Sequence, residues 1–459
     1  MIDIKQTDIH NAKGIFEIFM FNVGQGDHFM LKFPDGEYGV IDFHYASSKS
    51  IVEPPALSYF KSLATVLSES EMKKITIAFI CISHTDHDHI KGQIETVEWF
   101  YKNGIFIREF WLSAARDEVQ MMHLLKNKLT VIVNNASDAV KKDLSINFSH
   151  FTDDVDSFYS YFDRWRKKKF RSARYEVDPV GNGEYLVDIR PLRKPGSMNC
   201  SALNIGPLGT HLDEFVKNLS IDVIRRIIGK ATTPKLADKN LLSHILLLKF
   251  GETNILFGGD TNKEIWEDCL DRYHDSNYEF LQMFGPLDAR FIKVSHHGSK
   301  FSSSGKIWKN CLPVTDNVFL GISAGKHLKY KHPDSETIAD IRDVRKDAAV
   351  FSTNACRPCV LGNSFPKEYH EWYDDQVLNA VKYKKEKMNS YDISINQSIN
   401  LHRKKKKEKH ELGLFAYIFE IPDSNTAPIK VRTALTKINA QVDHCFYKEH
   451  TEKLSDKCS

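Results

Sequence analysis

The chain has 459 residues, of which 42% are hydrophobic and 27% charged, with a formal net charge of +3. That length leaves room for two or three domains or for one large domain with insertions, and the balance of residues excludes wholesale disorder. So small a positive excess means that any surface for a polyanion is local and not global.

No apolar run approaches the length that spans a bilayer, and the N-terminal MIDIKQTDIHNAKG has neither a basic nor an apolar leader region, so a cytoplasmic protein is expected. Of eight cysteines, those such as Cys81 and Cys269 sit in apolar stretches and are expected as buried free thiols. Cys356 and Cys359, in ACRPC, have ligand spacing, but a lone C-x-x-C is weak ground for a structural zinc.

Taken in order, residues 15 to 43 read as three strands. IFEIFMFNV and HFMLKF are rich in Phe, PDGE supplies a turn, and YGVIDF returns. Gly24 and Gly26 let the chain bend sharply, either close to a ligand or simply as a positive-φ turn. Between Ser47 and Glu71 a loop and then a helix are expected, with Leu57, Phe60, Leu63 and Val66 along one stripe. The apolar strand ITIAFICI then runs into SHTDHDHIKG, Ser83 to Gly92. A helix over Gln93 to Tyr101 and a strand over Ile107 to Ser113 follow.

From about Ala114 to Val187 the core pattern is lost, and an inserted, mainly helical segment (114–187) is expected. Within it, FDRWRKKKFRSARY carries seven Lys or Arg in fourteen residues, among them Arg164, Arg166, Lys167, Lys168 and Lys169. Such residues could neutralise phosphates while the interleaved aromatics stack on bases; the other reading is a solvated helix face. Residues 210 to 229 pattern as a helix. HILLLKF and TNILFGG read as a hairpin feeding Asp260, and RFIKVSHHGSK as a strand releasing His296 and His297 at its end. VFLGISAG is one more strand, and HPDSETIADIRDV starts a helix after Pro333. AAVFST is expected to pair with GLFAYIFEI, which leaves 356–411, including the run RKKKKEK, as a second insertion. A polar tail is expected over 422–459. No internal repeat is present.

The stretch after ITIAFICI packs His84, Asp86, His87, Asp88 and His89 into six positions. A strand that ends in a short loop can hold imidazoles and carboxylates close enough for a hydrolytic divalent-metal pair. His84 and Asp86 alternate as strand-end residues do, while Asp88 and His89 fall on the turn before a helix near Ile90. Two other readings are a polar loop that caps a helix, and the adjacent His-Asp pair of an all-helical phosphohydrolase, against which the preceding strand argues.

The H-x-D-x-D-H pattern resembles the metal-binding signature of the metallo-β-lactamase fold, in the variant where the second His is Asp, as in the hydrolase domain of the competence protein ComEC and in phosphorylcholine esterases. NVGQGDHFML, YGVIDF, ILFGGDT, KVSHHGSKFSSS and ISAGKHLKYKHP follow in that family's order over roughly residues 16 to 345. The resemblance implies an α/β fold, the metallo-β-lactamase αββα sandwich with helical and basic insertions, filling residues 1–421. ComEC's hydrolase domain is attached to a membrane channel, so a role in DNA uptake does not carry over.

Residue by residue, the resemblance implies two divalent metal ions, Zn or Mn. His84 and Asp86 would serve one, Asp88, His89 and His297 the other, with Asp260 as the bridge. His296 would then stand near the substrate, to hold a phosphate oxygen or protonate the leaving group; the reverse assignment of the two histidines stays open. Asp42 would orient a ligating His by accepting its second N–H. No third-strand His comparable to that of the β-lactamases is found between residues 187 and 245, which leaves the first metal short of a protein ligand. Ser299, Lys300 and Ser302 to Ser304 carry donors suited to phosphate, although Ser-rich loops are often only loops. His332 is expected at the substrate, with helix capping as the other role.

Two cations about 3.5 to 4 Å apart can activate one water and clamp the charge of an in-line phosphoryl transition state. The leading function is therefore a cytoplasmic metal-dependent DNA nuclease in which Asp88, His296 and His332 take part in catalysis. A small-phosphodiester or phosphocholine-type esterase is the alternative, and a non-catalytic interaction protein a third class; β-lactam hydrolysis is disfavoured. A free cytoplasmic DNase would threaten its own genome, so regulatory protein partners, in an anti-phage or stress system, are expected from the compartment and not from any residue. Fold alone would not separate these readings.

Overall fold

The computed structural model describes residues 14–45, 53–113, 170–171, 176–177, 184–186, 188–192, 199–215, 217–218, 239–275, 279–313, 318–324, 332–345, 348–353, 415–423, 427 and 429–435. The N-terminal strands are β1 (Ile15–Phe21), β2 (Phe29–Lys32), β3 (Tyr38–Ile41), β4 (Thr76–Cys81), β5 (Phe106–Ile107) and β6 (Phe110–Ser113). A short antiparallel pair, β7 (Phe170–Arg171) and β8 (Glu176–Val177), precedes β9 (Glu184–Leu186), β10 (Arg190–Leu192) and β11 (Cys200–Gly206). There follow β12 (Ile245–Phe250), β13 (Thr253–Phe257), β14 (Ala289–Lys293), β15 (Phe319–Ile322), β16 (Ala349–Ser352), β17 (Phe415–Pro422) and β18 (Lys430–Leu435). The helices that matter below are α1 (Pro55–Leu63), α2 (Glu69–Met72), α3 (His87–Ile90), α4 (Gln93–Lys102), α5 (Lys263–Asp275), α6 (Glu279–Phe284), α7 (Gly305–Cys311) and α8 (Ser335–Val344).

Two mixed sheets result. The first runs β18-β17-β1-β2-β3-β4-β6-β9 with β5 paired to β4, and the second runs β10 to β16 in chain order. β1 shows why they stack: its alternation sends Phe16, Ile18 and Met20 to one face and Phe19 and Phe21 to the other, and both faces are buried. The first set meets the second sheet. Phe29 on β2 lies 5.5 Å from Phe257 on β13, centroid to centroid, and Phe291 on β14 lies 4.7 Å from Phe419 on β17. Phe19 and Phe21 face the opposite way, into a cluster with Phe60 and Leu63 of α1 and Val97 and Phe100 of α4. On the far side of the second sheet, Trp266 and Leu270 of α5, Trp308 of α7 and Ile338 of α8 cover Leu247, Leu256, Ile292 and Leu320. The layers are therefore helices, sheet, sheet, helices, and each fully buried Phe, Leu or Ile contributes about 1.5–3 kcal/mol.

Several expectations change here. Leu57, Phe60 and Leu63 do line the buried face of α1, but the helix ends at Leu63, and Val66 lies beyond it, 53% exposed. A new start at Ser68, whose side chain and Glu71 form a reciprocal capping box, begins α2. AAVFST does not pair with GLFAYIFEI: β16 extends the second sheet beside β15, while β17 pairs with β1 and β18 in the first. The two strands instead face each other across the sandwich, with Phe351 and Phe419 rings 5.4 Å apart. β18 falls in the stretch expected as a polar tail, and β9, parallel to β6, falls in the stretch expected as a helical insertion. The basic residues Arg164 to Lys169, the ACRPC pair and the RKKKKEK run lie outside the described residues. Cys81, Cys200, Cys269 and Cys311 are buried free thiols. Among the described residues no helix is long and apolar enough to cross a membrane.

Candidate metal centre

β3, β4, β6 and β9 are successive parallel neighbours, and so are β13 to β16. Carboxyl ends of parallel strands are where side chains on the following loops converge. Here the loops after β3, β4, β13, β14 and β15 supply Asp42, His84, Asp260, His297 and Ser323 in turn. Three of the residues at this edge, Asp42, His296 and His297, adopt positive φ (56°, 48° and 55°). Each such residue costs about 1–2 kcal/mol when it is not glycine, and strain of this kind is characteristic of functional sites.

His84, His89 and His297 are buried, and each is oriented through Nδ1. His89 Nδ1 donates to Asp42 Oδ2 at 2.7 Å, His297 Nδ1 donates to the Ser323 carbonyl at 2.8 Å, and His84 Nδ1 lies 3.1 Å from Ser83 Oγ. Ser83 in turn donates its hydroxyl and its backbone N–H to Asp42, at 2.7 and 2.8 Å. With Nδ1 protonated, each ring turns an Nε2 lone pair inward. All three Nε2 atoms are buried without a hydrogen-bond partner among the described residues. Asp260 Oδ2 stands opposite, 3.3 Å from His89 Nε2 and 3.2 Å from His297 Nε2.

Ligand atoms of His84, His89 and Asp260, and likewise of Asp88, His89 and His297, lie within 4.8 Å of one another. Buried lone pairs aimed at carboxylates are costly unless something positive sits between them. The donor set fits divalent cations, with its carboxylates matching Mn²⁺ as well as Zn²⁺. Burial opposes charge on His297, but Asp260 and Asp88 outweigh it and bring its pKa to about 10.

The remaining expected residues fall around this cluster. Asp86 Oδ2 is 3.5 Å from His84 Nε2, and its side chain is 37% exposed. Asp88 Oδ2 is 3.5 Å from His297 Nε2; burial works against its ionisation, yet His297 and His89 hold its carboxyl below the usual range. It is His297 and not His296 whose ring faces Asp260. His296 is kept neutral by burial, its pKa lowered to about 4, and its ring lies 5.8 Å from that of His332. His332 Nδ1 is 3.5 Å from Asp334 Oδ2. Ser299 is buried and its hydroxyl accepts the Phe301 N–H, while Lys300 Nζ lies 3.3 Å from Glu336. Ser303 and Ser304 donate to Asp340 and Glu267, so these hydroxyls serve helix packing and do not stand free for a phosphate.

Other residues at the site escape a reading of the sequence. Asp27 and Lys293 form a buried ion pair, and Lys293 also reaches Asp260 Oδ1 at 3.3 Å. Gly26 makes the approach of Asp27 possible: at φ 131°, a Cβ there would stand 2.4 Å from the Asp88 carbonyl, which accepts the Asp27 N–H at 3.1 Å. The interval from 187 to 245, where no third-strand histidine comparable to that of the β-lactamases is expected, contains His244, buried directly before β12, with its N–H on the Ser83 carbonyl at 3.1 Å. Its ring lines a small buried space with Asp27, Asp42, Ser83 and Lys293 but joins none of the ligand groups, and burial lowers its pKa to about 4. Position at a strand start is the one sequence signal for His244; Asp27 stands beside a glycine-rich turn, inside NVGQGDHFML, without ligand spacing.

Fold and site together define an α/β protein with a buried His/Asp centre able to hold divalent cations at the carboxyl ends of its strands. No family model matches the chain. Over 105 residues it is 30% identical to ComE operon protein 3 of Bacillus subtilis (strain 168), a match that covers 23% of this chain and 12% of that protein. The chain thus spans about an eighth of the length of this relative. Among solved structures, a mutant of CmlA beta-hydroxylase superposes with a TM-score of 0.32 and 11% identity over 73% of this chain and 52% of the other.

Proposed function

We propose that the chain is a metal-dependent phosphodiester hydrolase of the metallo-β-lactamase fold, acting on DNA. The observation that carries this reading is the set of three buried Nε2 lone pairs, on His84, His89 and His297, converging on Asp260 with every Nδ1 already engaged. The local likeness to a ComE operon protein supports the same branch of the fold as the motifs do. His84 and Asp86 would hold one cation, Asp88, His89 and His297 a second, and Asp260 both. Bound there, two divalent cations would supply an activated water and a clamp for phosphoryl charge. Around them Asp42 and the Ser323 carbonyl hold the ligand rings at a fixed angle, which keeps reorganisation small. His296, kept neutral by burial and with its ring 5.8 Å from that of His332, would orient a phosphate oxygen through its N–H; protonating the leaving group would first require it to take up a proton, which burial opposes. Lys300, exposed in the same loop as His297, would offer a cation to a phosphate.

The test is incubation of purified protein with single- and double-stranded DNA, RNA and bis-p-nitrophenyl phosphate, each with Mn²⁺, Mg²⁺ or Zn²⁺, together with elemental analysis of wild type and Asp260→Ala. Cleavage of DNA that needs added metal, stops with chelator and disappears along with metal content in Asp260→Ala is the expected result. Turnover of the small diester with no cleavage of any polymer would move the protein to the small-phosphodiester reading. Equal metal content in both proteins would count against Asp260 as the bridge.

A further inference from the structure

Lys293 is the last residue of β14, only 1% exposed, and all of its ammonium protons are committed. Nζ donates to the Gly259 carbonyl, lies 3.3 Å from Asp260 Oδ1 and forms an ion pair with Asp27. An ammonium has three donors, and three acceptors surround this one. Burial disfavours its charge, and the carboxylates of Asp27 and Asp260 outweigh that cost. The other oxygen of Asp260, Oδ2, is the one that faces His89 and His297. Its two oxygens therefore have separate partners, one an internal cation and the other the imidazole cluster.

We infer that Lys293 is a positioning residue that makes Asp260 a one-oxygen bridge: by holding Oδ1 it leaves only Oδ2 for metal, so that Asp260 is shared between two ions and does not chelate one. The inference rests on the two-metal reading above. A carboxylate with both oxygens free can take a single divalent ion bidentately, and that ion then satisfies it. An ammonium fixed on Oδ1 removes this option at the cost of a buried charge, and Asp27 on its far side neutralises that charge. Asp27 is itself held on both flanks, its N–H on the Asp88 carbonyl and its own carbonyl on the His44 N–H at 3.0 Å. The turn that contains Asp27 thus reaches the Asp260 carboxylate through Lys293. Being buried, Lys293 acts through Asp260 and does not meet a substrate.

The experiment compares the wild-type chain, Lys293→Met, Lys293→Arg and the double variant Lys293→Met/Asp27→Asn, which leaves no lone charge buried should the single change prevent folding. Mn²⁺ is titrated into each apo-protein; content is read by elemental analysis and coupling by low-temperature electron paramagnetic resonance, with circular dichroism as the check on folding. Wild type is expected to take two ions that show an exchange-coupled signal. In the folded Met variants the second ion should bind about ten- to a hundredfold more weakly, as when other outer partners of metal ligands are removed, and the coupled signal should give way to that of isolated Mn²⁺. Lys293→Arg, which keeps the charge, should retain part of the coupling. Two coupled ions in a folded Met variant, at wild-type affinity, would overturn the role of Lys293 alone. Fewer than two ions in wild type would overturn this inference and the two-metal reading together.

Discussion

His28 illustrates how single residues around the centre are held neutral by the fold. It is fully buried, its Nδ1 donates to the His44 carbonyl at 3.1 Å, and its Nε2 accepts the Ala56 N–H at 3.3 Å. Burial lowers its pKa from 6.5 to about 4, against a smaller opposing effect of the His44 hydrogen bond. Because the folded value is the lower one, the unfolded chain binds the extra proton first. The stability contributed by neutral His28 is therefore complete above pH 6.5 and is lost as pH falls toward 4, by about 3 kcal/mol over that window. Melting temperature measured from pH 7 to pH 4.5 should fall more steeply for wild type than for His28→Gln, which can keep both hydrogen bonds; parallel curves would show that another group dominates the acid limb. The same restraint appears in Asp42 and Ser83, whose bonds orient His89 and His84 before any ligand arrives. The resemblance of the YGVIDF motif implies this supporting role for Asp42. Asp27 and Lys293 were not legible in the sequence, because neither stands in a pattern of ligand spacing, and they come from opposite sheets that only folding brings together.

At the scale of elements, the loop after β14 divides its labour. Its first part turns His296 and His297 through two left-handed conformations, and its second part anchors the chain to α5, α7 and α8. Ser304 caps α7 by accepting the Ile307 N–H at 3.4 Å while it donates to Glu267, and Ser303 accepts from Trp308 Nε1 at 2.8 Å while it donates to Asp340. Ser303→Ala and Ser304→Ala should each lower stability by about 1 kcal/mol, the usual cost of removing a cap or a buried hydrogen bond, and leave KM for any phosphodiester unchanged. Chemical denaturation and steady-state kinetics on both variants check this; a raised KM with unchanged stability would restore the phosphate role that the Ser-rich pattern had suggested. The pattern of residue types was correct for donors. It could not say which acceptors on distant helices would take them.

For the molecule as a whole, the small net charge places any affinity for DNA in a local basic surface, and the segment from Phe162 to Tyr175 combines dense positive charge with interleaved aromatics. If it binds phosphates, replacing Arg164, Arg166, Lys167, Lys168 and Lys169 by Ala should weaken DNA binding and reduce the salt slope by about one unit for each phosphate no longer neutralised, with small-substrate turnover retained. Unchanged affinity and slope in a salt titration would make that run a solvated face. The amino-acid sequence by itself determined which strands end in ligand-type side chains, since an apolar run followed closely by His or Asp is a local pattern: His84, Asp88, His89, Asp260 and the pair His296 and His297 were all readable from it. Tertiary structure alone decided that His297 and not His296 turns toward Asp260, that β17 joins the first sheet and not β16, and that Lys293 bridges Asp27 and Asp260. These outcomes depend on backbone dihedrals at a loop and on which strand edges and faces meet, and such long-range choices leave no periodicity in the chain that makes them.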